Sequence, residues 1–153
     1  MSMKEKFEAF TRALKEMWVY VVVYLHVQKE KLRLAFAIHM AKQLQKAKNK
    51  RFYVVPNAQD KLIWLCNDDI KEMRKPRRVR KLIHGRLVTF KVRLLPKNTT
   101  HLDVMRDCVY YTPESWNNSN GITVEERNKR SAKWIEYLER KRFDRMFGKL
   151  KMK

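Results

Sequence analysis

Basic side chains are concentrated in one stretch of the chain, where they could bind phosphate. Seven of them, with no acidic residue among them, are Arg74, Lys75, Arg77, Arg78, Arg80, Lys81 and Arg86. Lys91 and Arg93 continue the series on the next segment. Lysine and arginine neutralise phosphates and release the counterions that surround a nucleic acid. Such side chains support binding and not catalysis. These nine residues are the predicted nucleic-acid-binding residues.

The same stretch is compatible with other roles. It could be a solvated basic face, it resembles a nuclear import signal between Lys75 and Lys81, or it could meet an acidic protein. The whole chain carries a formal net charge of +20, from 36 Lys and Arg against 16 Asp and Glu. Self-repulsion of that size destabilises a compact chain, and a polyanionic partner relieves it. Contact with nucleic acid, DNA or RNA, is therefore the favoured interpretation.

Catalytic residues are harder to find. Asp103 and Asp107 lie one helical turn apart with His101 nearby, and paired carboxylates can hold Mg²⁺ at a phosphodiester, as in a metal-dependent nuclease. However, Arg106 lies between the two aspartates and can form ordinary ion pairs with them, which favours a structural role over a nuclease site. The three glycines are far apart, so no phosphate-binding loop is expected. The sequence predicts no catalytic residue, no metal site and no cofactor.

The N-terminal segment, residues 3–49, has neither proline nor glycine, and its apolar residues recur at spacings of three and four. One unbroken helix of about 45 residues would be roughly 65 Å long. It is too long to bury in a small domain, so either it packs on other protein subunits or it divides into a helix pair. Within residues 17–27, Trp18 to Tyr24 would also fit a strand, but the flanks lack turn residues and favour helix.

A β-hairpin is predicted next, from Arg51–Val55 and Leu62–Cys66 around the turn Pro56–Asp60. Its aromatic residues could stack on bases, but a small hairpin must bury alternate positions and core packing is favoured. These residues are Phe52, Tyr53 and Trp64. Cys66 and Cys108 have no partner at metal-binding spacing, so both are expected to be free thiols.

Two helices and a strand are predicted for the basic stretch. Asn67, Asp68 and Asp69 are N-cap candidates for a short helix that is expected to follow them until Pro76, with Glu72 three residues beyond Asp69 as in a capping box. A second helix is expected over Arg77–His84 with Gly85 as its stop, so that Arg77, Arg80, Lys81 and His84 would share a face. Arg86–Leu95 alternates and predicts a half-buried strand with a cationic outer face.

The remaining segments follow from capping and turn residues. Thr100 and Asp103 predict a helix from His101 to about Val109. Tyr110–Pro113 is predicted to be a further short strand. Residues 114–121 are predicted to be a loop. Thr123 and Glu126 open a last helix that is expected to end at Gly148 before a frayed basic tail.

The predicted fold class is therefore α+β, with a long N-terminal helix or helix pair, a small antiparallel sheet made of the hairpin plus one strand, and a C-terminal helix. Residues 1–153 are expected to form a single domain. Within it, residues 1–49 are the long helical segment, 50–113 the small α+β core with its basic arm, and 122–153 the C-terminal helix and tail. The longest apolar run, Met17–Leu25, is too short to cross a bilayer.

Residues 50–75 resemble a segment of small basic structural or accessory proteins of crAss-like tailed bacteriophages. The resemblance is carried by Lys50–Pro56, Asp60–Trp64 and Asp69–Lys75, where a hairpin leads into a Lys/Arg-rich helix. It implies a role in a virion or in its assembly and brings no catalytic residues. The Cys66–Asp68 junction and the long N-terminal helix have no counterpart in this resemblance.

The expected function is that of a non-enzymatic basic protein in a nucleoprotein assembly, a capsid or portal-region component of a tailed-phage virion. Its partners would be nucleic acid and, through the N-terminal helix, other protein subunits in an oligomeric assembly, without a membrane. It would be found in the virion or the host cytoplasm. The alternative is a ribosome-associated or other RNA-binding module, and the third class is a metal-dependent nuclease.

Overall fold

The protein is described from a computed structural model, which covers residues 2–92, 95–117 and 119–151. The predicted α+β class is confirmed: a long N-terminal helix, small antiparallel sheets and a C-terminal helix. The elements are α1 (Met3–Lys48), β1 (Tyr53–Pro56), β2 (Leu62–Leu65), α2 (Asn67–Met73), β3 (Arg77–Ile83), β4 (Arg86–Val92), α3 (His101–Asp107), β5 (Tyr110–Tyr111) and α4 (Val124–Lys151).

The N-terminal segment is one unbroken helix, α1, and residues 17–27 belong to it. The absence of proline and glycine leaves nothing to interrupt the helical hydrogen bonds, and this outweighs the β-branched run. Asn49 ends the helix in a left-handed conformation with φ of 51°. The indole nitrogen of Trp116 donates to the carbonyl of Lys46 at 3.1 Å, and Asn49 Oδ1 accepts from the Trp116 amide at 3.0 Å. The loop around Trp116 therefore provides a hydrogen-bond donor for a backbone carbonyl in the last turn of α1.

The chain forms two compact units. The helical unit contains α1 up to Arg33 and α4 from Ala132, and the mixed unit is Leu34–Ser131. In the helical unit, Val19, Val23 and Val27 form a buried stripe at helical spacing, packed against apolar residues of α4. The Tyr20 ring meets the Phe143 ring edge-on at 5.3 Å between centroids.

The mixed unit is built on a three-stranded antiparallel sheet in the order β2-β1-β5. The predicted hairpin is confirmed, with Tyr53 paired to Leu65 and Pro56 to Leu62. The side chains of Tyr53 and Leu65 are buried with Ile70 of α2 and Val104 of α3. Thr112, which is fully buried, accepts a hydrogen bond from the Phe52 amide at 2.9 Å and extends the pairing of β5.

Three capping predictions have different outcomes. The capping box of Thr100 and Asp103 is confirmed at the start of α3. The Asp69 and Glu72 box is wrong, because α2 begins one turn earlier: Cys66 is its N-cap, and the Asp69 carboxylate accepts from the Cys66 amide at 3.0 Å. Thr123 precedes α4 as predicted and accepts from the Glu126 amide at 3.2 Å. That helix continues past Gly148 to Lys151, whereas residues 152 and 153 of the predicted tail lie outside the described range.

The predicted helix over Arg77–His84 is wrong. This segment is β3, which pairs antiparallel with β4 from Arg77 opposite Val92 to Ile83 opposite Arg86. His84 and Gly85 both have positive φ, 50° and 76°, as a two-residue turn of type I′ requires. Gly85 is therefore part of a hairpin turn and not the stop of a helix. The backbone of β4 needs a partner strand, and β3 is the nearest segment along the chain that can supply one.

The arrangement of the sheets also differs from the prediction. The strand that begins at Arg86 pairs with β3 in a separate two-stranded sheet, and β5 takes the predicted place beside the first hairpin. The strand is largely exposed and not half-buried. Its predicted end at Leu95 cannot be compared, because Arg93 and Leu94 lie outside the described residues.

Candidate nucleic-acid interface

The β3–β4 hairpin carries most of the predicted phosphate-binding residues. Six of the nine lie on its strands: Arg77, Arg78, Arg80, Lys81, Arg86 and Lys91. Each of the six is exposed. Residues 73–102, between Glu72 and Asp103, include no aspartate or glutamate, so neither the hairpin nor its flanking segments contain a carboxylate side chain. The field around this hairpin is therefore strongly positive.

The remaining three predicted residues are placed differently. Arg74 follows α2 as its C-cap, and its guanidinium donates to the carbonyl of Thr99 at 3.1 Å, which gives it a structural role. Lys75 pairs with Glu72 at 3.1 Å, with both side chains more than half exposed. Arg93 lies outside the described residues. The structure thus places six of the predicted cations on one hairpin. Arg74 and Lys75 precede this hairpin and contact Thr99 and Glu72 instead.

The register divides the six cations equally between two faces. Side chains alternate along a strand and directly opposed residues share a face. Arg78 lies opposite Lys91, and Arg80 lies opposite Thr89 on the same side. Arg77, Lys81 and Arg86 lie on the other side. The sequence prediction grouped Arg77 with Arg80 because it assumed a helix, and the register separates them.

The two faces differ in exposure. On the face with Arg78, the apolar residues Leu82 and Leu87 are 73% and 63% exposed. On the face with Arg77, the apolar residues Val79, Ile83, Phe90 and Val92 are between 37% and 40% exposed. We call the first the open face and the second the sheltered face. The open face, with Arg78, Arg80 and Lys91, is the more accessible to a large polyanion.

The aromatic residues of the first hairpin are not part of this surface. Phe52 and Tyr53 are buried, as the preference for core packing predicted. The Trp64 ring is partly buried and meets the Phe36 ring edge-on at 5.8 Å.

The acidic pair that suggested a nuclease has structural contacts. Asp103 caps α3: its carboxylate accepts from the amide and the hydroxyl of Thr100, both at 3.0 Å. These hydrogen bonds lower the pKa of Asp103, and the nearby Arg106 adds to the effect. Asp107 pairs with Arg106 at 3.1 Å, and this hydrogen bond lowers the pKa of Asp107. In the part of the chain that the structure describes, no group of three His, Cys, Asp or Glu could hold a metal ion.

Cys108 has a strongly perturbed thiol. Both cysteines are free and buried. Burial raises the pKa of the Cys108 thiol from 9.0 to about 11, against the opposing effect of the nearby Arg130 cation. The thiol donates to the carbonyl of Met105 at 3.3 Å. A buried protonated thiol of this kind is a poor nucleophile at neutral pH, so Cys108 is a core residue.

Cys108 should make the stability of the fold sensitive to alkali. A thiol whose pKa is higher in the folded state contributes stability that is complete below pH 9 and is lost as the pH rises towards 11. We expect a loss of roughly 2 kcal/mol from this residue over that window. The free energy of unfolding in urea, measured from neutral to alkaline pH, tests this. Burial also raises the pKa of Tyr53 and Tyr110 in the same direction, so Cys108→Ala is the control and should show a shallower decline.

Comparison of the chain with protein-family models, curated proteins and solved structures finds no match. Among the described residues, no helix is both long enough and apolar enough to cross a membrane.

Proposed function

We propose that this chain is a non-enzymatic, basic structural or accessory protein of a nucleoprotein assembly, which contacts the phosphate backbone of nucleic acid through the β3–β4 hairpin. The observation that carries the proposal is the open face, where Arg78, Arg80 and Lys91 are exposed on a hairpin without carboxylates. Three cations on one face of a narrow ribbon can contact successive phosphates, and none of them is held in an ion pair with the hairpin itself.

Double-stranded DNA is the polyanion that suits this hairpin best. The major groove of B-DNA, about 12 Å wide, admits a two-stranded β-ribbon. The major groove of duplex RNA is too narrow and deep for side chains to enter. The turn of the hairpin presents Leu82 and Leu87, which are highly exposed and could contact the groove or the sugar surface. This preference separates the proposal from its alternative, an RNA-binding module.

A tailed-phage virion is the assembly that we propose. Support comes from the resemblance of residues 50–75 to small basic proteins of crAss-like phages, together with the long α1 helix, whose exposed apolar residues suit contact with other protein subunits. A capsid or portal-region location would place the protein beside packaged DNA. In purified, nuclease-treated phage particles, an antibody against the chain should then detect it.

The test is the salt dependence of binding. We expect the purified protein to retain nucleic acid at low salt and to release it at high salt. With a short DNA duplex, the log of the binding constant should fall linearly with log NaCl concentration. The slope should approach about −2.7 if three phosphates are neutralised, since each contributes about 0.9. A duplex of the same sequence with an uncharged methylphosphonate backbone is the control and should bind weakly at every salt concentration.

Two results would contradict the proposal. One is an absence of binding to the phosphodiester duplex at low salt. The other is binding that does not change with salt, because counterion release would then make no contribution. A clear preference for duplex RNA would instead favour the RNA-binding alternative.

A further inference from the structure

A regular series of exposed apolar residues follows one side of α1. From Met3 onwards they recur at alternating spacings of four and three residues over three heptads. The series, which we call the α1 seam, is Met3, Phe7, Phe10, Leu14, Met17, Val21 and Tyr24. All seven are exposed, from 43% at Val21 to 84% at Met3. A contiguous apolar surface of this size on a soluble domain marks a contact site.

Most of the α1 seam lies away from the side of α1 that packs against α4, although Phe7 and Leu14 border grooves that also include Leu150 at the end of α4. That side is formed by Val19, Val23 and Val27, which are at most 7% exposed. At 100° per residue, Val21 lies about 160° around the helix from Val23, whereas Tyr24 at the end of the seam lies about 60° from Val27. The helical unit therefore has one apolar side buried against α4 and a second apolar series whose members are all at least 43% exposed.

The spacing of the α1 seam indicates the kind of partner. A strict repeat of 3.5 residues is the a/d pattern of a coiled coil, whereas a helix that packs into a globular core shows a wider stripe with a period of 3.6. In this register, Phe7, Leu14 and Val21 are the a positions, and Met3, Phe10, Met17 and Tyr24 are the d positions. The expected partner is therefore another long helix with a matching repeat.

Charge argues against nucleic acid on this surface. From Met17 to Gln28 the sequence has no Lys, Arg, Asp or Glu. The N-terminal half of the seam is flanked by both signs, Lys4 and Lys6 with Glu5 and Glu8. A surface with so little net charge attracts no polyanion, and it also lets two identical copies approach despite the charge of +20 on the whole chain.

We propose that the α1 seam pairs with the same seam of a second copy of this chain, as a two-stranded coiled coil. This deepens the proposed contact of α1 with protein subunits and, to that extent, rests on the proposed function. Identical seams are self-complementary, as a two-fold symmetric interface requires. Since a large apolar side chain has on the order of 150–200 Å² of surface, the exposed parts of the seven residues amount to roughly 800 Å² per chain. This exposed area sets the upper limit of what pairing could bury, and it reaches the roughly 800 Å² that each partner contributes to a standard protein interface.

The experiment measures the mass of the protein by sedimentation equilibrium, after nuclease treatment and in high salt, so that nucleic acid cannot link the copies. The wild type should have twice the monomer mass of 18.7 kDa. Phe10→Lys with Met17→Lys places two charges in the seam and should raise the dimer dissociation constant at least about 100-fold, because each apolar contact is replaced by a buried charge. Neither residue belongs to the stripe that faces α4.

Two further variants keep the result interpretable. Leu102→Lys with Val124→Lys makes the same charge change at exposed apolar residues away from the seam, and it should remain dimeric. Phe10→Leu with Met17→Leu preserves the apolar pattern and should also remain dimeric. Circular dichroism of each variant should show that α1 is still helical.

A monomeric wild type at micromolar concentration would overturn the proposal, as would a Phe10→Lys, Met17→Lys variant that dimerises like the wild type. Binding to DNA is measured separately on the same samples. A dimer that binds no DNA would refute the proposed function and leave the seam proposal in place, whereas a DNA-binding monomer would do the reverse.

Discussion

Replacing Arg78, Arg80 and Lys91 together by glutamine is expected to reduce the slope of log binding constant against log NaCl by about 2.7, which is 0.9 for each phosphate contact that is lost. The three cations share the open face of the hairpin. Glutamine keeps much of the side-chain length and the ability to form hydrogen bonds, so the change removes charge with little effect on the strands. Fluorescence anisotropy of a labelled DNA duplex over a series of salt concentrations measures the slope.

Two matched triple variants serve as controls for this result. Arg77, Lys81 and Arg86 lie on the sheltered face, and their replacement by glutamine should change the slope less. Lys29, Lys31 and Lys133 are exposed on α1 and α4, and their replacement lowers the net charge by the same amount away from the hairpin. If all three variants reduce the slope equally, binding follows net charge and the open face has no special role.

Replacing Arg130 by methionine is expected to destabilise the fold by about 2 kcal/mol, because it removes the charged donor from two backbone carbonyls. The Arg130 side chain is only 18% exposed. Its guanidinium donates to the carbonyls of Met105 at 2.7 Å and Cys108 at 2.8 Å, and it also pairs with Glu126 at 2.9 Å. Arg130 thus satisfies carbonyls at the end of α3, and methionine would leave them without this partner.

The chain contains a matched control for Arg130. Arg140 pairs with Glu136 at the same spacing of four residues and at 2.8 Å, but its side chain is 73% exposed. Arg140→Met should cost less than about 0.5 kcal/mol, as is usual for a surface ion pair on a helix. Urea unfolding followed by circular dichroism measures both variants. If both variants lose the same free energy of unfolding, the burial of Arg130 and its contacts with the two carbonyls contribute nothing beyond the ion pair.

Local sequence signals predicted the elements whose stabilising contacts are close in the chain. The length of α1 follows from a segment without proline or glycine, and the start of α3 follows from Thr100 and Asp103. The hairpin of β1 and β2 was identified from two β-branched runs around a turn. In each case the residues that determine the element lie within it or next to it.

The errors concern segments whose structure depends on a neighbouring strand. Arg77–Ile83 has a pattern compatible with a helix, and only its pairing with β4 makes it a strand. His84 adopts a positive φ that a non-glycine residue rarely takes, so His84 and Gly85 were not predicted to form a two-residue turn. The sequence does contain a signal for this turn. His84, a residue type that tolerates a positive φ, precedes Gly85, and the alternating strand follows directly.

The candidate site was predictable in composition but not in geometry. The clustering of cations without acids is visible in the sequence, and six of the nine residues do lie on one hairpin. The division into an open and a sheltered face depends on the strand register, which the helix prediction could not supply. The structural contact of Arg74 with Thr99 joins residues 25 positions apart and has no local signal.

The pairing of Arg78 with Lys91 has a consequence for how the hairpin responds to salt. These two cations lie directly opposite each other, and like charges in that position repel across the strands. A two-stranded hairpin with exposed faces is only marginally stable, so this repulsion lowers the fraction of molecules in which it is formed. Added salt screens the repulsion, since the Debye length at 0.1 M is about 10 Å, and it thereby favours the formed hairpin while it weakens the contact with phosphate. The two effects oppose each other, so the observed salt slope would understate the number of phosphates that the hairpin neutralises.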